Sequence, residues 1–163
     1  MSKFELRGYQ EHIVEQVRSL MRQGKRRIVV QAPTGSGKTA LCTDMISAAE
    51  AKGLRTWFIV HRRELIKQSM KAYDRNGLSY AVISANFPQE DSYLTQIASI
   101  NTLIRRHDKV QPPKLLVHDE GHHVPAKSWQ RVIDKYPDAF HVALTATPCR
   151  LDGKGLDDFF DDI

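Results

Sequence analysis

A chain of 163 residues is long enough to bury one sizeable hydrophobic core, which predicts a single domain over residues 1–163. Two cysteines are too few for a disulfide framework and fit a reducing, cytoplasmic setting, and no apolar run approaches the ~18 residues of a membrane span. The formal net charge is +5, and five Asp crowd into residues 152–163, so the remaining surface suits a polyanionic partner.

Six short apolar runs alternate along the chain with runs whose apolar residues recur at helical spacing. The first predicted helix has Ile13, Val17 and Leu20 on one face and ends at Gly24. The other predicted helices cover residues 40–51, 61–76, 101–106 and 128–136. The predicted strands cover residues 27–31, 56–60, 80–84, 95–100, 115–118 and 140–144. This alternation predicts a three-layer α/β/α fold with a mostly parallel sheet, whose ligands bind beyond the carboxyl ends of the strands.

The stretch Ala32-Pro-Thr-Gly-Ser-Gly-Lys-Thr39 joins the first predicted strand to the second predicted helix. Gly35 and Gly37 allow successive backbone N–H groups to point inward and cradle a polyphosphate at the start of the helix. Lys38 would reach the β- and γ-phosphates of ATP, and the Thr39 hydroxyl would bind Mg²⁺. An ordinary glycine-serine turn is the alternative, but such a turn needs no Lys and Thr at these offsets. The predicted nucleotide-binding residues are Pro33, Thr34, Gly35, Ser36, Gly37, Lys38, Thr39 and Ala40.

Asp119 and Glu120 directly follow an apolar strand, so both carboxylates emerge at the same edge of the sheet as the glycine-rich stretch. Asp119 would hold the magnesium ion, while Glu120 would accept a proton from the water that attacks the γ-phosphate. Taken alone, the two acids could be a solvated turn. A zinc site at His118, His122 and His123 is disfavoured, because a structural zinc ion needs four ligands and no cysteine has suitable spacing. The predicted catalytic residues are Lys38, Asp119 and Glu120.

Thr145-Ala-Thr-Pro148 is a third polar motif at a strand end, suited to hydrogen bonding with the acidic motif. With it, the chain resembles the motor ATPases of helicase superfamily 2, in particular the DEAH-like branch with type III restriction subunits, XPB-type helicases and phage helicases. The stretches that match motifs I, Ia, II and III of that family are residues 32–39, 61–65, 119–122 and 145–147. The resemblance covers residues 6 to about 156 and implies a RecA-like P-loop NTPase domain, although Gly121 stands where the family usually has Ala.

The same resemblance implies roles for further residues. Arg7 and Gln10 lie in a segment similar to the adenine-recognising segment of the family, in which the Gln amide can both donate to and accept from the adenine edge. The implied residues that couple ATP to nucleic acid are His122, Thr145 and Thr147. The implied nucleic-acid contacts are Arg62, Thr102 and Arg105. Each of these three could equally be a solvated helix residue.

The resemblance thus implies a monomeric, DNA-dependent ATPase of the helicase type, with DNA favoured over RNA. Motifs IV to VI, which include the arginine fingers of the family, have no counterpart here, so a second RecA-like lobe in cis or in trans is an implied partner. The alternative is a module that, as an isolated domain, binds nucleotide and nucleic acid with negligible turnover. A P-loop kinase or GTPase is disfavoured, because no Asn-Lys-x-Asp motif is present and Thr145-Ala-Thr147 would have no role.

Overall fold

The structure is a computed structural model that describes residues 8–31, 38–60, 63–85, 92–106, 111–119 and 127–145. The helices are α1 (Gly8–Arg22), α2 (Lys38–Ala51), α3 (Arg63–Arg75), α4 (Ile100–Arg106) and α5 (Lys127–Lys135). The strands are β1 (Arg27–Gln31), β2 (Thr56–Val60), β3 (Ala81–Ile83), β4 (Thr95–Ser99), β5 (Leu115–Asp119) and β6 (Phe140–Thr145). No helix within these ranges is long and apolar enough to cross a membrane.

The six strands form one sheet in the order β1-β6-β5-β2-β4-β3, and every neighbouring pair is parallel. Parallel strands need crossover connections, and in the described residues each connection except that from β3 to β4 contains a helix. The predicted α/β class with a parallel sheet is therefore confirmed. All the carboxyl ends of these strands point to the same edge.

The sheet is buried on both faces, because alternate side chains of each strand point to opposite sides. In β2, Phe58 and Val60 join a core cluster with α1, α2 and α3. Trp57 and Ile59 of the same strand join a second cluster with α4 and α5. The five residues of β2 are all buried, as expected of an interior strand. The result is the predicted arrangement of one sheet between two helical layers.

Helices α1, α2 and α3 end in the same way, on a glycine with left-handed backbone angles. At the end of α2, Gly53 has a φ of 73° and its N–H donates to the Glu50 carbonyl at 2.9 Å. The Leu54 N–H donates to the Ala49 carbonyl at 3.0 Å, which completes a Schellman motif and satisfies carbonyls that a helix end leaves unpaired. The equivalent glycines are Gly24 after α1 and Gly77 after α3.

Some element boundaries differ from those predicted. Strand β3 begins at Ala81 rather than at residue 80, and the Tyr80 hydroxyl donates a 2.9 Å hydrogen bond to Asp74 Oδ1 at the end of α3. Ile100 was predicted to end β4 but instead begins α4, where its side chain is buried in the second core cluster. A single buried apolar residue is compatible with either element, so the packing around it decides.

Candidate active site

Strands β1, β6 and β5 are neighbours, so their carboxyl ends lie side by side. The last residue of β1, Gln31, is in register with Thr145, the last residue of β6. Asp119, the last residue of β5, is in register with Leu144 of β6. Helix α2 begins at Lys38, so the glycine-rich stretch connects this edge of the sheet to the first turn of α2. The strands that lead into the glycine-rich stretch, the acidic motif (119–122) and the coupling motif (145–147) therefore end side by side at one edge.

The Asp119 carboxylate lies on the face of the sheet that carries α2 and α3. It is half-buried and borders a cavity of about 570 Å³, which is also lined by Cys42 of α2 and Tyr73 of α3. Burial raises the pKa of the Tyr73 hydroxyl well above its ordinary value, and Cys42 and then Asp119 add to the rise. Most residues that line this cavity belong to α3, and Cys42, which lies one helical turn beyond Lys38, belongs to α2.

A magnesium ion is compatible with these surroundings. Mg²⁺ prefers oxygen ligands, and proteins usually hold it with one or two carboxylates while substrate phosphates and water complete the coordination. Asp119 offers one half-buried carboxylate at the cavity, and no group of three or more His, Cys, Asp or Glu gathers in the part of the chain that the structure describes. One carboxylate at the cavity suits a metal whose remaining ligands come from a bound phosphate and water.

The other predicted site residues fall in different places. Gln10 lies in the first turn of α1 and is buried, with 4% of its surface exposed. In α4, Arg105 is exposed, whereas Thr102 is buried and only 5% exposed. The roles of all three stay predictions. The predicted site residues outside the described ranges are Arg7, Pro33, Thr34, Gly35, Ser36, Gly37, Arg62, Glu120, His122 and Thr147. The side chains of Lys38, Thr39, Ala40 and Thr145 also lie outside the described part of the structure.

A pair of buried histidines links β5 to β6 on the face that carries α4 and α5. His118 Nε2 lies 3.0 Å from His141 Nδ1, and the two rings stack at 18° with centroids 5.3 Å apart. His141 Nε2 lies 2.8 Å from the carbonyl oxygen of Tyr136, the residue after α5. His118, considered above as a zinc ligand, is therefore hydrogen-bonded to another side chain of the protein.

The protons of this pair can be assigned from its partners. Burial lowers the pKa of both imidazoles, that of His118 well below its ordinary value, so both rings are neutral at neutral pH. A carbonyl oxygen only accepts, so His141 Nε2–H donates to Tyr136, and His118 Nε2–H donates to His141 Nδ1. His141 was not among the predicted site residues. Its role could have been suspected from the sequence, because a histidine stands in each of two apolar strand runs. A buried polar side chain needs a hydrogen-bond partner, so the two histidines were candidates to pair.

The profile of the family described as "Type III restriction enzyme, res subunit" matches residues 3–150. The chain belongs to this family. The matched range contains all four motifs named above, and the predicted membership in helicase superfamily 2, as a first RecA-like domain, is confirmed.

Relatives of this chain include proteins that are much longer. The DNA 3'-5' translocase XPB2 of Sulfurisphaera tokodaii is 30% identical over 155 residues, which cover 93% of this chain and 33% of that protein. The type I restriction enzyme EcoKI endonuclease subunit of Escherichia coli is 29% identical over 186 residues, which cover 91% of this chain and 16% of that protein. The chain thus spans 33% or less of the length of either relative.

A solved structure supports the fold. The SWI2/SNF2 ATPase core of Sulfolobus solfataricus, in complex with dsDNA, superimposes with a TM-score of 0.72 at 20% identity, over 90% of this chain and 33% of that one. At this level of identity the similarity concerns the fold alone, and it agrees with the RecA-like architecture predicted for this chain.

Proposed function

We propose that this chain is the ATP-binding motor domain of a DNA-dependent ATPase that drives translocation along nucleic acid or unwinding. The observation that carries the proposal is the meeting of the carboxyl ends of β1, β6 and β5 with the start of α2. Asp119 ends β5, Thr145 ends β6 and Lys38 begins α2, and each belongs to a different motif of the family. In parallel α/β sheets, ligands bind in this position, beyond the carboxyl ends of the strands.

Each residue at this edge has a proposed chemical role. Lys38 contributes positive charge beside the β- and γ-phosphates, where negative charge develops during phosphoryl transfer. Thr39 and Asp119 hold the magnesium ion, which when bound neutralises phosphate charge. Glu120 accepts a proton from the attacking water. Gln10 contributes the adenine contact through an amide that can both donate and accept.

We assign DNA, rather than RNA, as the nucleic-acid partner. The names of the relatives support this choice, since XPB2 is described as a DNA translocase and the SWI2/SNF2 core was solved with dsDNA. On this chain, α4 carries the exposed Arg105 and packs against α5, whose exposed Arg131 and Lys135 border a shallow cavity of about 280 Å³. Arg62 and Thr102 complete the proposed contacts. Binding that depends on phosphate contacts weakens as the salt concentration rises.

The proposal includes a second RecA-like lobe, in cis or in trans. An arginine finger contributes about 10³–10⁵-fold to the rate of phosphoryl transfer, and no arginine of this chain is proposed for that role. Movement of one lobe against another also closes the site around ATP and completes the catalytic arrangement. We therefore expect residues 1–163 to form one monomeric domain in a cytoplasmic setting, with near-background ATP turnover on its own.

Calorimetry of ATP binding and a steady-state assay of phosphate release test this proposal together. ATP affinity is measured with Mg²⁺ and with EDTA, and phosphate release is measured with and without DNA and with a matching second lobe. We expect magnesium-dependent ATP binding by the chain alone and DNA-stimulated hydrolysis only after the second lobe is added. Absence of ATP binding would overturn the proposal.

The same measurements address the alternative, a module that binds nucleotide and nucleic acid with negligible turnover. The proposal assigns no arginine of this chain to the finger role, and this favours the module. Magnesium-dependent ATP binding without hydrolysis, even with DNA and a second lobe present, would support the module. Multiple-turnover unwinding of a duplex by the chain alone would contradict the single-lobe account.

A further inference from the structure

His141 is hydrogen-bonded to both ends of the segment that carries the acidic motif. Its Nδ1 accepts from His118, the residue before Asp119, and its Nε2–H donates to the carbonyl of Tyr136, the residue after α5. The chain between these two contacts, residues 119–135, begins with Asp119 and Glu120. One imidazole on β6 is thus hydrogen-bonded to the residues on either side of this segment.

The bond between the two histidines also fixes β5 against β6. In the register of the two strands, Leu116 lies opposite His141 and His118 lies opposite Ala143, so the His118–His141 bond runs diagonally across the pair. A diagonal contact between side chains of one face resists sliding of one strand along the other. Both rings are buried, with 0% and 1% exposure, so solvent does not compete for the bond.

We propose that His118 and His141 are positioning residues that hold the carboxyl end of β5 so that the Asp119 carboxylate faces the magnesium ion and the nucleotide. The inference rests on the proposed function of Asp119 as a magnesium ligand. Successive side chains of a strand point to opposite faces, so His118 lies among the residues beneath α5 while Asp119 borders the cavity beside α2. An imidazole held on one face therefore fixes the backbone from which the carboxylate projects on the other.

The same bond connects the acidic motif with the coupling motif. Strand β6 carries His141 and ends at Thr145, the first residue of the coupling motif. A shift of the end of β5 relative to β6 would change the separation between Asp119 and Thr145. The histidine pair therefore sets the relative position of two motifs that must act on the same nucleotide.

Variants of His118 separate a positioning role from a purely structural one. His118→Leu removes the donor to His141, whereas His118→Gln keeps a side-chain amide that can donate in its place. Leu116→Ala is the matched control, because Leu116 is fully buried on the same face of β5 and has no polar group. For each variant, thermal unfolding reports stability, and calorimetry gives the ATP affinity with Mg²⁺ and with EDTA.

The decisive quantity is the magnesium gain, the ratio of the ATP affinity with Mg²⁺ to that with EDTA. Changes to residues that support metal ligands typically cost ten-fold or more, so we expect His118→Leu to reduce the gain by roughly ten-fold with the EDTA affinity unchanged. His118→Gln should recover most of the gain, and Leu116→Ala should lose stability while the gain stays intact. A His118→Leu protein with the wild-type gain would overturn the positioning role. A wild-type protein without any magnesium gain would overturn the proposed function, and this inference with it.

NMR of the unmodified protein keeps the inference testable if His118→Leu does not fold. Scalar coupling between His118 Nε2 and His141 Nδ1 should be measurable across the N–H···N hydrogen bond in ¹⁵N-labelled protein. The imidazole signals of both residues should shift when Mg²⁺-ATP is added and should shift much less with ATP and EDTA. Absence of the coupling, or equal responses to the two additions, would contradict the inference.

Discussion

Gln31, the last residue of β1, is in register with Thr145, the last residue of β6. The glycine-rich stretch and the coupling motif therefore leave the sheet from adjacent points. Asp119 ends the strand on the other side of β6, in register with Leu144. A nucleotide bound at this edge can be contacted from all three segments, although they are far apart in the sequence.

Lys38→Ala should weaken ATP binding by ten-fold or more, because the backbone amides cannot replace the charge of the ammonium group. The loss of such a charge-assisted contact corresponds to about 1.5–3 kcal/mol of binding free energy. Calorimetry of ATP binding in the presence of Mg²⁺ measures the change. Lys52→Ala is the matched control, since Lys52 is exposed just beyond the other end of α2. Unchanged ATP affinity in Lys38→Ala would contradict the prediction that residues 32–39 form a phosphate-binding loop.

Glu120→Gln should separate nucleotide binding from hydrolysis. The amide keeps the shape of the side chain and leaves Asp119 in place, but it cannot accept the proton of the attacking water. ATP should bind as in the wild type, while hydrolysis measured with a second lobe and DNA should fall by about 10²–10⁴-fold. An equal loss of ATP binding would mean that Glu120 holds the metal or supports the structure instead.

Tyr73→Phe should leave the free energy of unfolding unchanged or raise it by about 1 kcal/mol, because an unpaired buried hydroxyl is costly. Tyr73 is 2% exposed, and its hydroxyl has no hydrogen-bond partner within the described ranges. The phenyl ring would keep the contacts with Phe58 and Tyr80, whose ring centroids lie 5.9 Å and 5.7 Å away. Chemical denaturation measures the change, and a clear loss of stability would show that the hydroxyl is paired in solution.

Ionisation of the Tyr80 hydroxyl should make the protein less stable at alkaline pH. Burial, assisted by the hydrogen bond to Asp74, raises the pKa of the Tyr80 hydroxyl from 10.0 to about 12. The unfolded chain therefore loses this proton at a lower pH than the folded protein does. The contribution of Tyr80 to stability is complete below pH 10 and declines as the pH rises toward 12.

The variant Tyr80→Phe isolates this effect from the titration of other groups. Urea denaturation of wild type and variant at about pH 9 and about pH 11.5 gives the difference in unfolding free energy at each pH. We expect the wild type to lose stability relative to Tyr80→Phe between the two values. A difference that does not change with pH would mean that the hydroxyl titrates alike in the folded and unfolded states.

Local patterns were sufficient for most of the helices and strands, and they also led to the prediction of the candidate site. The bounds predicted for the strands at 27–31 and 56–60 agree with β1 and β2, because short apolar runs between polar segments favour buried strands. The end of α1 at Gly24 was predictable, since a glycine is suited to the left-handed angles that close a helix. The motif at 32–39 could be recognised because the phosphate binding predicted for it depends on residues that are adjacent in the sequence.

Other features depend on contacts between distant parts of the chain. The strand order β1-β6-β5-β2-β4-β3 follows from how the helices cover the sheet, and no local pattern specifies it. His118 and His141 are separated by 23 residues, and they meet only because β5 and β6 pair in one register. The burial of Thr102 is likewise set by the packing of α4 on the sheet. The packing of α3 buries the Tyr73 hydroxyl, which has no hydrogen-bond partner among the described residues. A side chain gains or loses its partners when the layers pack, so these properties belong to the folded chain and not to any single stretch of it.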